Sequence, residues 1–251
     1  MIPPRFWTTA SSIVILAVFG SACGEDSSPA SPTATLDTPS ALSSLATAGS
    51  PDANQFAGPV GLRVAHLSTD APPVDIWVNG SVVLAGVPYG TVSDYLGLQT
   101  GEYRLQVTPA GAAAPIVIDA TLDLQAGNVY TVAAVGFLSS GSLEPLVLFD
   151  DRSIGEGGRI RFVHTSADTG AVDVAVKGGP VLFADVSFQE ASEYVDVPGG
   201  VYDLEVRPAG SQEVALSIPG VEVLGKTTYT VFAIGRSYNG TLAPLPVVDA
   251  P

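Results

Sequence analysis

Cysteine is nearly absent from this chain. Cys23 is the one thiol in 251 residues, so no disulfide can close within the chain, and burial of apolar surface has to stabilise whatever folds. Basic residues are scarce as well, 10 Lys and Arg against 25 Asp and Glu, for a net charge of −15. That balance excludes nucleic acid as a partner, because binding it rests on clustered Lys and Arg neutralising phosphates. Histidine occurs twice, at His66 and His164. There is no loop of alternating acids for calcium, no clustered His for zinc and no Gly-x-Ser-x-Gly nucleophile elbow, and no cofactor is implied. Helical periodicity is missing too: beyond residue 58 no segment keeps apolar residues at i, i+3, i+4 and i+7 for more than about a turn.

What the chain does have is a unit of about ninety residues used twice. Arg63, His66, Ser68, Asp70, Val74, Asp75, Val78 and Gly80 return as Arg161, His164, Ser166, Asp168, Val172, Asp173, Val176 and Gly178. One residue further out of register, Ser93, Tyr95, Tyr103, Gly136 and Asp150 return as Ser192, Tyr194, Tyr202, Gly235 and Asp249. Self-similarity of this kind means two copies of one small domain.

Residues 1–22 read as an export signal, with Arg5 near the start, an apolar run from Ile13 to Phe19, and Gly20, Ser21 and Ala22 before Cys23. The run is shorter than the roughly 20 residues that a bilayer span needs. Its end resembles a bacterial lipoprotein signal, although Gly20 stands where Leu is usual. The resemblance implies that Cys23 is acylated and becomes the mature amino terminus. An ordinary signal peptide ending near a cysteine is the alternative. Residues 23–57 are Ser, Pro, Ala, Thr, Gly and Asp with too few apolar residues to fold, and they read as a disordered tether spanning about 30 Å.

From residue 58 onward, short alternating runs separated by Gly, Pro, Asn and Asp predict strands at 62–67, 74–79, 81–85, 93–98, 103–108, 116–124, 129–137 and 143–149, repeated in the second copy. Seven or eight strands in about ninety residues predict two tandem immunoglobulin-like antiparallel β-sandwiches, over 58–150 and 159–251. Asn79-Gly80 and Asn239-Gly240 each offer the positive-φ pair of a tight hairpin turn. Residues 151–158 form a polar linker expected to permit hinge motion.

Arg63-Val-Ala-His66-Leu-Ser68-Thr-Asp70-Ala-Pro72-Pro73-Val74-Asp75-Ile-Trp-Val-Asn-Gly80, followed by Gly101-Glu-Tyr103-Arg-Leu-Gln-Val, resembles the domain of unknown function 4397 family. It covers both copies. The family implies exported bacterial proteins, often with the domain in tandem, and almost nothing about chemistry. The second copy departs from it at Ala167, Thr169 and Gly170, where the family tends to place Pro.

Two constellations carry the chemical expectations. A His66, Ser68, Asp70 relay is one, repeated at His164, Ser166 and Asp168. Residues two apart on a strand lie about 6–7 Å apart, beyond the reach that a nucleophile and its base require. Leu62, Val64 and His66 share a face instead, so each histidine is expected to end a core row and bond to the loop that follows. The other is the row Asp75, Trp77 and Asn79, which projects from one side of a strand. Its counterparts are Asp173, Ala175 and Lys177, and the row is the candidate ligand site. The paired tyrosines are expected to anchor core edges through bonds to backbone groups. The reading is a lipid-anchored envelope protein with a non-catalytic binding, adhesion or structural role and a glycan or protein as ligand. A hydrolase or metal-dependent enzyme built on the His-Ser-Asp loops is the alternative.

One myristoyl-sized chain holds a bilayer only marginally, whereas two or more hold it stably. Cys23→Ser should therefore move the protein from the membrane to the soluble fraction. An intact mass without an acyl adduct on a Cys23 amino terminus would remove the anchor from this reading.

Overall fold

The computed structural model describes residues 59–251; the expected export signal, Cys23 and the expected tether lie outside them. The first copy contains β1 (Val60–His66), β2 (Val74–Val78), β3 (Ser81–Val87), β4 (Thr91–Val92), β5 (Leu96–Leu98), β6 (Gly101–Pro109), β7 (Ile118–Leu124), β8 (Val129–Val135) and β9 (Glu144–Phe149). The second contains β10 (Gly158–His164), β11 (Val172–Val176), β12 (Val181–Val186), β13 (Val195–Val197), β14 (Gly200–Pro208), β15 (Leu216–Val223), β16 (Thr228–Ile234) and β17 (Ala243–Ala250). Each copy is a sandwich of two sheets. In the first, β4-β1-β8-β9, with β5 also on β1, packs over β3-β2-β6-β7; in the second, β13-β10-β16-β17 packs over β12-β11-β14-β15.

Alternation places every second residue of these strands inside. Leu62, Val64, Ile76, Leu105, Val107, Leu124 and Val132 meet in the first core, and Ile160, Phe162, Val174, Phe183, Val206 and Val223 in the second. Two features depart from simple alternation. The strand expected over 93–98 is broken: Ser93 leaves the ladder, and its hydroxyl accepts from Val64 N at 3.0 Å. Ser192 does the same for Phe162 N at 3.0 Å. In addition β1 pairs parallel with β8, and β10 with β16, within otherwise antiparallel sheets.

Both faces of β1 are buried along its whole length, which is the setting in which parallel pairs occur. Its second face is covered by the other copy. Ala65, Leu67, Ala133, Val135 and Leu148 of the first copy form one apolar cluster with Val163 and Phe232 of the second. The hinge expected across 151–158 is therefore corrected. The first copy's Asp150 is buried just before the linker, Arg159 pairs with Asp151 at 2.9 Å, and a side chain on Gly158 would meet Val223 Cγ1 at 2.3 Å.

Polar groups in the same interface are matched across the copies. Arg63 donates to Asp249 Oδ1, and Arg161 Nη2 donates to Asp150 Oδ1 at 2.6 Å. Asp150 also accepts from Thr131 at 2.5 Å and Tyr95 at 2.9 Å. Asp249 accepts from Thr230 at 2.7 Å and Tyr194 at 2.8 Å. The guanidinium carbons of Arg63 and Arg161 lie 4.6 and 4.8 Å from the ring centres of Tyr95 and Tyr194. Each arginine is thus satisfied by the carboxylate of the opposite copy.

Burial opposes the charge on Arg63, but Asp249 and Asp150 outweigh it and hold its pKa above the ordinary arginine value. Burial pushes the Asp249 carboxyl up, with Arg63 offsetting only part of the effect. Burial likewise raises the Tyr95 and Tyr194 phenols, so both keep their protons.

Removing one member of a buried pair strands the other, typically at a cost of about 3–5 kcal/mol. Arg63→Met should lose stability of that order in denaturant unfolding, and Arg63→Met with Asp249→Leu should recover part of it. Unfolding of Arg63→Met at the parent's midpoint would show that the pairing contributes nothing.

Candidate functional site

The turn after β1 determines what His66, Ser68 and Asp70 can do. The His66 ring is 1% exposed and donates from Nε2 to the carbonyl of Pro72 at 3.1 Å. His164 is fully buried and donates to Gly170 O at 3.0 Å, while its Nδ1 accepts from Ser166 N at 3.3 Å. The expectation that each histidine ends a core row and bonds to its following loop agrees with this geometry. The buried rings are stacked edge-on by Tyr89 and Phe188, and burial lowers both pKa values.

The serines serve structure as well. Ser68 Oγ donates to Gly136 O at 2.8 Å and lies 3.2 Å from Asp70; Ser166 Oγ donates to Gly235 O at 2.9 Å. Gly136 has φ of 92°, and a Cβ there would sit 2.2 Å from Ser142 O, so glycine is required. Asp70 accepts from Leu138 N and Ser139 N at 2.8 and 3.0 Å, and Asp168 from Ser237 N and Tyr238 N at 3.0 and 3.1 Å. Burial acts to raise the Asp70 carboxyl, but the donors around it prevail and bring it down to about 2. Neither histidine bonds its serine hydroxyl. The relay is a clamp that ties the β1 turn to the β8–β9 loop, and the β10 turn to the β16–β17 loop.

The second constellation lies on the outer face of β2. Asp75 is 7% exposed, and its two oxygens accept from Gly86 N at 2.7 Å and Gly111 N at 2.8 Å. Asp173 holds Asp185 N and Gly210 N in the same way, and those backbone bonds lower its pKa. Asn79 and Gly80 form the two-residue hairpin turn with φ of 49° and 79°, and Asn79 Oδ1 accepts from Arg104 N at 2.9 Å. The matching expectation for Asn239-Gly240 is corrected: only Gly240 has positive φ, because the turn there is closed by a bond from Gly240 N to Ser237 O. Trp77, half-buried, donates from Nε1 to Thr108 Oγ1 at 2.9 Å. A depression of about 170 Å³ opens beside it, lined by Trp77, Gly80, Gln106, Thr108, Ala113 and Ile116. Of the three residues expected to meet a ligand, two are occupied with backbone and Trp77 faces the depression.

Among the described residues no group of three or more His, Cys, Asp or Glu is arranged to hold a metal ion. The residues that sequence reasoning missed are those of the buried charge cluster. Arg63, Tyr95 and Asp150 were visible as repeated positions, yet nothing in the sequence said that their partners lie in the other copy. Tyr95 and Tyr194 accordingly reach carboxylates, whereas Tyr202 donates to Pro198 O and Tyr130 and Tyr229 accept from Gln125 N and Leu224 N, the backbone bonds expected.

Residues 60–175 and 158–251 match the family described as Domain of unknown function (DUF4397), and the chain belongs to that family. No curated protein matches the chain. Among solved structures it is similar, at 11% identity, to the family 26 carbohydrate-binding module of Amy13K from Eubacterium rectale in complex with maltoheptaose, over 76% of this chain and 98% of that one with a TM-score of 0.25. It is also similar, at 11% identity, to the TIE protein of Bacillus anthracis, over 70% of this chain and 33% of that one with a TM-score of 0.23. Likeness this distant carries no argument about function.

His66→Ala and His164→Ala should each cost about 1–3 kcal/mol by stranding a buried partner. The pH dependence has a definite sign. Both histidines have lowered folded-state pKa values, so below about 6.5 the unfolded chain binds the extra protons. Their contribution is fully present above that pH and is lost as pH falls through it, at no more than about 1.4 kcal/mol per pH unit for each ring. Gln at either position should flatten the slope of unfolding free energy between pH 7 and 5; an unchanged slope would mean that the rings titrate normally.

Proposed function

We propose that this chain is an exported, non-catalytic binding or adhesion module of the bacterial cell envelope, held to the membrane by acyl chains on Cys23. The observation that supports it is the enclosure of both imidazoles. In the competing reading, a hydrolase or metal-dependent enzyme, His66 would serve as base or ligand and Ser68 as nucleophile. Instead Nε2 of each histidine is committed to a backbone carbonyl, and each serine hydroxyl to another. A ring nitrogen or hydroxyl so engaged has structural work that a catalytic role would undo.

The ligand surface is the outer face of β2, with Trp77 as the contact residue and Asp75 and Asn79 as the groups that hold its surroundings. Those two supporting roles fit a preformed platform, since a site whose frame is already bonded loses little ordering entropy on binding. The tether of residues 23–57 would carry both sandwiches away from the bilayer.

The test uses the full chain carrying Cys23→Ser, with and without Ser68→Ala and Ser166→Ala. Both forms should bind purified cell-wall preparations equally and turn over no chromogenic ester, glycoside or phosphodiester substrate. Turnover that disappears with the serines would replace this reading with the enzyme.

A further inference from the structure

We infer that the outer face of the sheet β3-β2-β6-β7 binds a neutral sugar ring of a glycan, with Trp77 as the stacking surface and Gln106, Asp119 and Arg104 as its hydrogen-bonding edge. This rests on the binding-module reading and names the ligand class of that site.

Strand register assembles the platform. Val82, Trp77, Gln106 and Asp119 stand directly opposite one another across four strands, and directly opposed residues project from the same face. The result is one continuous row with an apolar end, an indole, a carboxamide and a carboxylate. Gln106 Nε2 donates to Asp119 Oδ2 at 3.0 Å, and Arg104 Nε donates to Asp119 Oδ1 at 2.8 Å. These planar groups are fixed by one another before a ligand arrives. Trp77 is fixed too: Thr108, only 1% exposed, takes its indole N–H. With its one polar atom engaged, Trp77 has only its apolar ring to offer.

Size and charge narrow the occupant. The depression of about 170 Å³ is well below the roughly 300–1,000 Å³ of pockets that enclose cofactors or drug-sized molecules. It suits one ring laid against the surface, with the rest of the chain in solvent. Arg104 and Asp119 cancel each other's charge, and a protein of net charge −15 repels polyanions at long range. A neutral polyol ring, apolar on one face and hydroxylated at its edge, answers both the indole and the amide-carboxylate row.

The second copy supplies an internal contrast. Asp173 repeats the frame that Asp75 holds, so the frame is common to both sandwiches. Ala175 replaces Trp77, and the residue opposite it is Glu205, which is paired with Arg207 at 2.6 Å. What the copies share is what the fold needs. The stacking row belongs to the first alone.

Of the two tryptophans in the chain, Trp7 lies in the leader. In the full chain with Trp7→Phe and Cys23→Ser, indole emission therefore comes from Trp77 alone. Cellohexaose, xylohexaose, maltohexaose and chitohexaose are titrated in turn, with polygalacturonate as the anionic control. At least one neutral oligosaccharide should change the emission saturably and polygalacturonate should not. Trp77→Ala should weaken calorimetric binding of that oligosaccharide by several-fold or more in protein that still unfolds cooperatively, and Trp77→Phe, which loses the same bond to Thr108, should restore most of the affinity. An oligosaccharide bound with unchanged emission, or equally well by Trp77→Ala, would overturn the site. If no neutral oligosaccharide binds but the chain still adheres to cell-wall preparations, the ligand class fails and the module reading stands. A chain that adheres to neither fails both.

Discussion

The pairing of each buried arginine with the carboxylate of the opposite copy is the constraint on which the rest of this structure depends. Arg63 and Arg161 occupy the middle of strands that are covered on both faces, where an unpaired guanidinium would cost several kcal/mol. Only docking of the two copies brings Asp249 to Arg63 and Asp150 to Arg161. A buried ion pair is weak evidence of net stability, and its best attested use is registry. Here it admits one way of facing the two sheets, because a slip along either strand would leave charges without partners. The apolar cluster around Leu67, Val163 and Phe232 then supplies the nonspecific part of the attraction.

That docking changes the status of the linker. A polar segment rich in Gly ordinarily joins independent bodies, yet its first neighbour, Asp150, is inside the charge cluster, and Gly157 and Gly158 are placed where a side chain would collide with Val197 O and Val223. The two sandwiches therefore form a frame on which a surface patch can be rigid. Trp77 is on the sheet that faces away from this interface and is open to a ligand while the other sheet is closed by its twin.

Repetition misleads in one respect and informs in another. His66, Ser68 and Asp70 look like a relay because they recur together, but they recur because each copy needs the same clamp: a carboxylate over two loop amides, a serine on a glycine carbonyl, a histidine under the turn. Positions that differ between the copies are the more useful guide to recognition. Trp77 against Ala175 is such a position, and it stands beside an aspartate that both copies keep.

The sequence by itself determined the sandwich architecture, the strand positions within a few residues, the Asn79-Gly80 turn and the inward direction of both histidines. Each of these follows from local chemistry, namely period-two burial, positive-φ residues and the parity of a strand, which a short window contains. Strand parity also placed Asp75, Trp77 and Asn79 on one face. Only the tertiary structure decided that Asp75 is consumed by Gly86 and Gly111, that Gln106 and Asp119 complete the row beside Trp77, that β1 and β8 run parallel, and that Arg63 answers to Asp249. Those pairings join residues between 11 and 186 positions apart, and a sequence carries the identity of such partners but not the docking that makes them neighbours.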